Sequence, residues 1–215
     1  EAGLYLAEAM WTRYNPVVRK VKQWVDAGQI GRVRCVEADF GYAAEYDPAG
    51  GLFQPEKAGG GILDVGIYPI ALAQLVYGDV MPEKIAAFGE KTPSGVDASC
   101  GMLLAYPDGG VATLFTAVRS QTPSLAKISG EKGVILLDAP FWRSKGATLQ
   151  REGEEERYCI EQGDYEGYQF EFDGVVSEIL AGERESRVMA LEHSRTVAAV
   201  MDEVRRQMGV AYPFD

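Results

Sequence analysis

The feature that most constrains this chain is an almost unbroken succession of strand-like runs. KIAAFGEK, DASCGMLLAY, GVATLFTAV, LAKISG, GVILLD, ATLQRE and ERYCIE follow one another between about residues 84 and 161. Most of these runs are rich in β-branched, aliphatic or aromatic residues, and the links between them are short. Pro107-Asp108-Gly109-Gly110 and Glu152-Gly153-Glu154 carry the chemistry of hairpin connections. The pattern predicts an antiparallel meander of six or seven strands. Helical patterns bracket it, which indicates an α+β fold and not a repeating βαβ one. PVVRKVKQWVDAG (16–28) is amphipathic: Pro16 opens it, Val17, Val21, Trp24 and Val25 share a face, and Gly28 ends it. Two helices close the chain, roughly 167–181 and 190–208. The second carries Leu191, Val197, Val200, Met201, Val204 and Met208 on one stripe. We expect an open-faced, mostly antiparallel sheet with helices packed on one face. Its other face, with Leu103, Phe115 and Val118 upon it, would need a partner, and a homodimer is the economical one.

The first third is more varied. LYLAEAM (4–10) reads as a short strand, and VRCVEADFGYAAEY (33–46) has strand composition. Residues 47–61 read as a long Gly- and Pro-rich loop, and ILDVGIYPIALAQLVYG (62–78) as a buried helix ended by Gly78.

Composition excludes several functions. Apolar residues make up 47% of 215, enough for a substantial core without disulfide or metal staples. Acidic residues outnumber basic ones 32 to 21 and no Lys/Arg block occurs, so nucleic acid and anionic membrane are discounted as partners. There is no signal peptide and no run of 18 apolar residues, and a soluble, cytoplasmic protein is expected. Cys35, Cys100 and Cys159 are odd in number and never form C-x-x-C. They read as small buried apolar residues in a reducing compartment. His193 is the only histidine, which argues against a His-based metal site, and no metal is expected.

The chemistry concentrates in GGGILDVGIYPI, residues 59–70. Three glycines, read as a flexible lead-in, precede Asp64 and Tyr68, four residues apart. On a helix these two project from one face. Pro69 cannot donate to the carbonyl of residue 65, so the helix should begin near Asp64, where the helix dipole favours a carboxylate. The spacing fits an N-terminal Asp with a Tyr ring anchored in the core. It also fits a proton relay. A phenol with an ordinary pKa of about 10 is a poor base unless a cation lowers that value. Tyr68 could then exchange a hydroxyl proton while a hydride moves elsewhere, with Asp64 orienting the substrate or the relay.

G-G-G-x-L-D-x-G-x-Y (59–68) resembles the hallmark of the glucose–fructose oxidoreductase/inositol dehydrogenase (Gfo/Idh/MocA) family, in the Tyr form of its dihydrodiol dehydrogenase-like branch. EAMWTRYNP (8–16), VEADFGY (36–42), SGEKGVILLDAPFW (129–142), GYQFEFDGV (167–175) and ESRVMALEHSRTVAAVMDEVRRQMGVAYP (185–213) extend the resemblance over essentially the whole chain. It implies an NAD(P)-dependent oxidoreductase acting on a secondary alcohol or carbonyl of a sugar, cyclitol or trans-dihydrodiol. It assigns Asp64 and Tyr68 as the catalytic pair, with Tyr68 the proton donor or acceptor. It puts Trp11 and Arg13 near the cofactor, and Trp142, Tyr168 and Tyr42 around the substrate.

The chain departs from the family pattern in one respect. No G-x-G-x-x-G follows a strand, and Glu90-Lys91-Thr92-Pro93 has an intervening Thr where the family's E-K-P motif has none. We therefore expect the Rossmann domain to be absent. Residues 1–12 would be a remnant of its last strand, in a truncated or processed product. Residues 13–215 would be the substrate-binding and dimerisation domain, which alone should neither bind a dinucleotide tightly nor turn over. A non-catalytic interaction or scaffold module of the same fold is the alternative, against which the retention of both Asp64 and Tyr68 argues.

Overall fold

The computed structural model describes residues 3–161 and 166–215. Its sheet has eight strands: β1 (Val33–Gly41), β2 (Lys84–Lys91), β3 (Asp97–Ala105), β4 (Val111–Ala117), β5 (Ala126–Gly130), β6 (Gly133–Leu137), β7 (Gly146–Arg151) and β8 (Glu154–Cys159). Their order is β2-β3-β4-β1-β5-β6-β7-β8. The expected meander is present but split. β2 to β4 and β5 to β8 are antiparallel runs of neighbours, and β1 lies between them, parallel to β4 and antiparallel to β5. The sheet therefore has eight strands, not six to seven. Hairpins announce themselves through local turn residues, such as Gly109 and Gly153, whose φ of 76° and 80° are left-handed. A strand arriving from far away in sequence leaves no such mark.

Helices cover one face. Asn15 caps α2 (Pro16–Asp26), its side chain accepting the Val17 N–H at 2.8 Å, with Pro16 in the first turn. That helix buries Val17, Val18, Val21 and Trp24, while Val25 is only partly covered. α5 (Leu191–Met208) buries Val197, Val200, Met201 and Val204 over β2 and the central helix. Beneath them Leu104, Ile128, Ile135 and Leu149 are fully enclosed. Each such side chain contributes about 1.5–3 kcal/mol of burial energy. The central helix, α3, runs from a widened π-helical turn over Ile62–Gly66 into a regular helix over Ile67–Val76. The stretch Pro55–Val76 is apolar and long enough to span a membrane, yet most of it is enclosed in the core.

The other face is open. Phe88 is 80% exposed, and Leu103, Phe115 and Leu125 are uncovered beside it. Val118 does not belong to this face. It lies past the end of β4, donates its N–H to the Ala98 carbonyl, and is buried against Phe53 and Val65. Cys159 is exposed instead of buried, on the edge strand; Cys35 is partly covered, Cys100 is buried, and all three are free thiols. LYLAEAM is not a strand. Its one ladder contact is an isolated bridge from Leu6 to Glu185, and Leu4 and Leu6 are exposed. Residues 1 and 2 of the 1–12 segment lie outside the described residues.

Candidate functional site

The triglycine is a rigid seat for α3, not a flexible lead. All three glycines are buried. Gly60 has φ of 110°, and a Cβ there would come within 2.3 Å of Asp97 Oδ1; one on Gly59 would come within 2.5 Å of the Leu52 carbonyl oxygen. Only glycine allows this approach. Asp97, fully enclosed at the start of β3, accepts the Ile62 N–H at 2.8 Å. Thr116 donates to the Gly61 carbonyl at 3.3 Å, and the Tyr212 hydroxyl donates to the Gly59 carbonyl at 2.8 Å. Burial pushes the Asp97 carboxyl up to about 6, against the opposing pull of its backbone N–H donors and of Arg205. Strands, helix start and C-terminal tail thus converge on one turn. Asp97 and Tyr212 were not singled out in the sequence; each acts across a long chain separation.

Asp64 and Tyr68 leave this helix at its mouth. The widened turn separates them from the strict one-face spacing of an α-helix, and each takes its own partner. Asp64 is exposed and accepts the Tyr42 hydroxyl at 2.6 Å. Tyr68 is half-buried and accepts the Trp11 indole N–H at 3.1 Å. Burial raises the Tyr68 pKa. The Trp11 hydrogen bond opposes this, and Tyr168, Asp64 and Glu171 push it further up. The Tyr42 phenol is also raised, by burial and then by its bond to Asp64. With its pKa held above that of an ordinary phenol, Tyr68 keeps its proton at neutral pH.

An aromatic wall surrounds that hydroxyl. Phe40, at the end of β1, lies 5.4 Å from Tyr68 and stacks on Trp142 at 3.4 Å; Trp142 is 6.3 Å from Tyr68. Tyr168, exposed at the start of α4 (Tyr168–Leu180), lies 4.4 Å from Trp11, in α1 (Trp11–Tyr14). Trp11, Tyr42, Trp142 and Tyr168 therefore gather around the Asp64–Tyr68 pair. Phe40 was missed as a site residue, although alternation along β1 puts it on the same side as Tyr42. Beside Asp64 opens a cavity of about 390 Å³, lined among others by Tyr42, Leu52, Lys57 and Leu63. A larger hollow, about 1080 Å³, borders Glu37 and Asp39 on the open sheet face, away from this chemistry.

Arg13, expected near the cofactor, is enclosed within the fold. It is 2% exposed, and its guanidinium pairs with Asp79 and donates to the Ala71 carbonyl at 3.1 Å. A charge so enclosed ties α1 to the end of α3. Nor does the triglycine cradle a dinucleotide phosphate. The N–H groups of Gly59 and Gly60 donate to the Gln54 and Leu52 carbonyls, and the Asp97 carboxyl lies against Gly60 and Gly61. Among the described residues no three His, Cys, Asp or Glu side chains converge as metal ligands would.

Fold and site together define an open-faced α+β sheet domain that carries an acid and a phenol on the helix crossing its covered face. The chain belongs to the GFO/IDH/MocA C-terminal domain family, whose model matches residues 18–136, more than half its length. It is 34% identical over 225 aligned positions to trans-1,2-dihydrobenzene-1,2-diol dehydrogenase of Oryctolagus cuniculus, covering 99% of this chain and 66% of that protein. It thus spans just under two thirds of that relative. Levoglucosan dehydrogenase, solved with NADH and levoglucosan, superposes with a TM-score of 0.80 at 16% identity, over 96% of this chain and 64% of the other. A 3-ketoreductase from Actinomadura kijaniata, solved with NADP and TDP-benzene, does so with 0.77 at 22%, over 98% and 64%. At such identities the two structures speak for the fold alone.

Proposed function

We propose that this chain is the substrate-binding and proton-handling part of an NAD(P)-dependent oxidoreductase. Its substrate would be a secondary alcohol or carbonyl of a sugar, cyclitol or trans-dihydrodiol. The observation that carries the reading is the Tyr68 hydroxyl, held by the Trp11 indole N–H inside an aromatic wall and flanked by Asp64. In the reducing direction Tyr68 gives its proton to the carbonyl oxygen and is left as phenolate; in the oxidising direction only that phenolate form takes the hydroxyl proton and returns to phenol. Phe40, Trp142 and Tyr168 bound the apolar side of the substrate, and Asp64 and Tyr42 form a polar rim that accepts its hydroxyls. The dinucleotide carries the hydride and would be held by residues other than these, so no step is derived through it. The exposed apolar residues of the open sheet face fit a homodimer contact, and free thiols fit a reducing, cytoplasmic setting.

The test is a titration of the chain with trans-1,2-dihydrobenzene-1,2-diol and, separately, with NADPH, followed by tryptophan fluorescence. The diol should perturb the signal in the wild type and much less in Trp11→Phe or Trp142→Phe, and NADPH should not bind in the micromolar range. A diol that leaves the tryptophans unperturbed would contradict the reading.

A further inference from the structure

We propose that Tyr212 is a positioning residue for Asp64, and that the tail after α5, residues 210–215, holds the glycine floor of the cavity beside that carboxyl. The consequence for substrate rests on the reading of the site given above.

α5 ends at Gly209, whose φ of 64° turns the chain back. The Val210 N–H donates to the Arg205 carbonyl at 3.0 Å, and Lys91 donates to the Gly209 carbonyl at 3.0 Å. Arg205 then grips Asp215. Its Nη1 and Nη2 donate to the two carboxyl oxygens at 2.9 and 3.0 Å, the paired geometry of a strong ion pair. Asp215 also accepts the Tyr212 N–H at 2.8 Å, and the guanidinium lies 4.5 Å from the centre of the Tyr212 ring. The tail is thereby closed on itself, with Tyr212 only 5% exposed and its hydroxyl donating to the Gly59 carbonyl at 2.8 Å. Burial and then Asp97 push that phenol up to about 12, so the hydroxyl stays a donor.

The residues the tail holds line the cavity. Val210 and Tyr212 form a small core with Val96, on which Ala58 and Leu63 pack. Ala58, Gly59 and Leu63 all line the cavity beside Asp64. The backbone there is not one the chain adopts unaided. Ala58 has a left-handed φ of 55°, and Gly60 has 110°. A left-handed alanine is unfavourable and persists where its surroundings over-determine it. The Tyr212 hydroxyl, bonded to the carbonyl of Gly59 between these two residues, supplies such a constraint. Asp64 is tied to the same turn, because its own N–H donates to the Gly60 carbonyl at 3.3 Å. Movement of the glycines therefore carries Asp64, and the Tyr42 hydroxyl bonded to it, out of place.

The test compares wild type with Tyr212→Phe, which keeps the ring and deletes only the bond to Gly59. The strained turn then relaxes, and the share of molecules with Asp64 in place falls about fivefold, the scale of one hydrogen bond. Amide hydrogen exchange, followed by NMR, reads such local opening. Gly60 and Asp64 should exchange at least about fivefold faster in the variant, while the amides of β4, paired on both sides, keep their wild-type rates. Asp215→Ala, which frees the tail from Arg205, should speed the same two amides. The apparent Kd of a ligand rises as its competent state is depleted, so trans-1,2-dihydrobenzene-1,2-diol, titrated by tryptophan fluorescence, should bind Tyr212→Phe about fivefold more weakly. Exchange unchanged at Gly60 and Asp64, or raised alike in β4, would overturn the positioning role, as would a diol Kd equal to that of a binding wild type. A wild type that binds no diol would overturn the reading of the site, and the exchange rates would still decide the role of Tyr212.

Discussion

Replacing Asp97 by Asn isolates the seat on which α3 rests. In the fold this carboxyl titrates near 6, against an ordinary 3.8, because burial disfavours its charge. The direction of the pH effect follows. Below about pH 3.8 the carboxyl is protonated in both folded and unfolded chains, and its full contribution is present. Between 3.8 and about 6 the unfolded chain releases the proton while the fold retains it, so stability falls as pH rises. Each pH unit of displacement is worth about 1.4 kcal/mol, which gives a total on the order of 3 kcal/mol. That is a large part of the 5–15 kcal/mol typical of a domain. Asn keeps a carbonyl for the Ile62 N–H but cannot ionise. Urea unfolding of both proteins from pH 4 to pH 8 should show the variant gaining on wild type by about 2 kcal/mol, the part of that total that falls in this window. Parallel curves would refute the claim that an enclosed, reluctantly charged Asp97 seats the helix.

Two further outcomes separate structural from chemical roles. Arg13→Ala should destabilise the fold by about 3–5 kcal/mol, measured by urea unfolding, because it strands Asp79 beside the end of α3; a residue that only touched cofactor would leave stability unchanged. Trp11→Phe removes the hydrogen bond that opposes burial at Tyr68, so the phenol pKa should rise further, as read by NMR of ring-labelled tyrosine.

What the sequence disclosed was what local chemistry encodes. α2 was legible from Pro16 and its apolar face, α5 from its stripe, and the hairpins from Gly109 and Gly153. Asp64 and Tyr68 stood out through a motif, and Trp11, Tyr42, Trp142 and Tyr168 through the family resemblance, whereas Phe40 did not. The rest depends on contacts across long stretches of chain. β1 enters between β4 and β5 with no turn signal to announce it. The triglycine looks flexible until Asp97, 35 residues beyond Ile62, is seen against it. Arg13 gives no sign in the sequence of its pairing with Asp79, 66 residues away. Likewise the stacking of Phe40 on Trp142 joins β1 to the segment after β6, which no spacing rule connects.

The most direct measurement of the proposed function is the steady-state rate of trans-dihydrodiol oxidation by the oxidoreductase to which we propose this chain belongs, with Tyr68 replaced by Phe. A positioned proton acceptor contributes about 10²- to 10⁴-fold, so kcat should fall at least about a hundredfold while KM changes little. A variant turning over at close to the wild-type rate would show that the reaction's proton travels by another route.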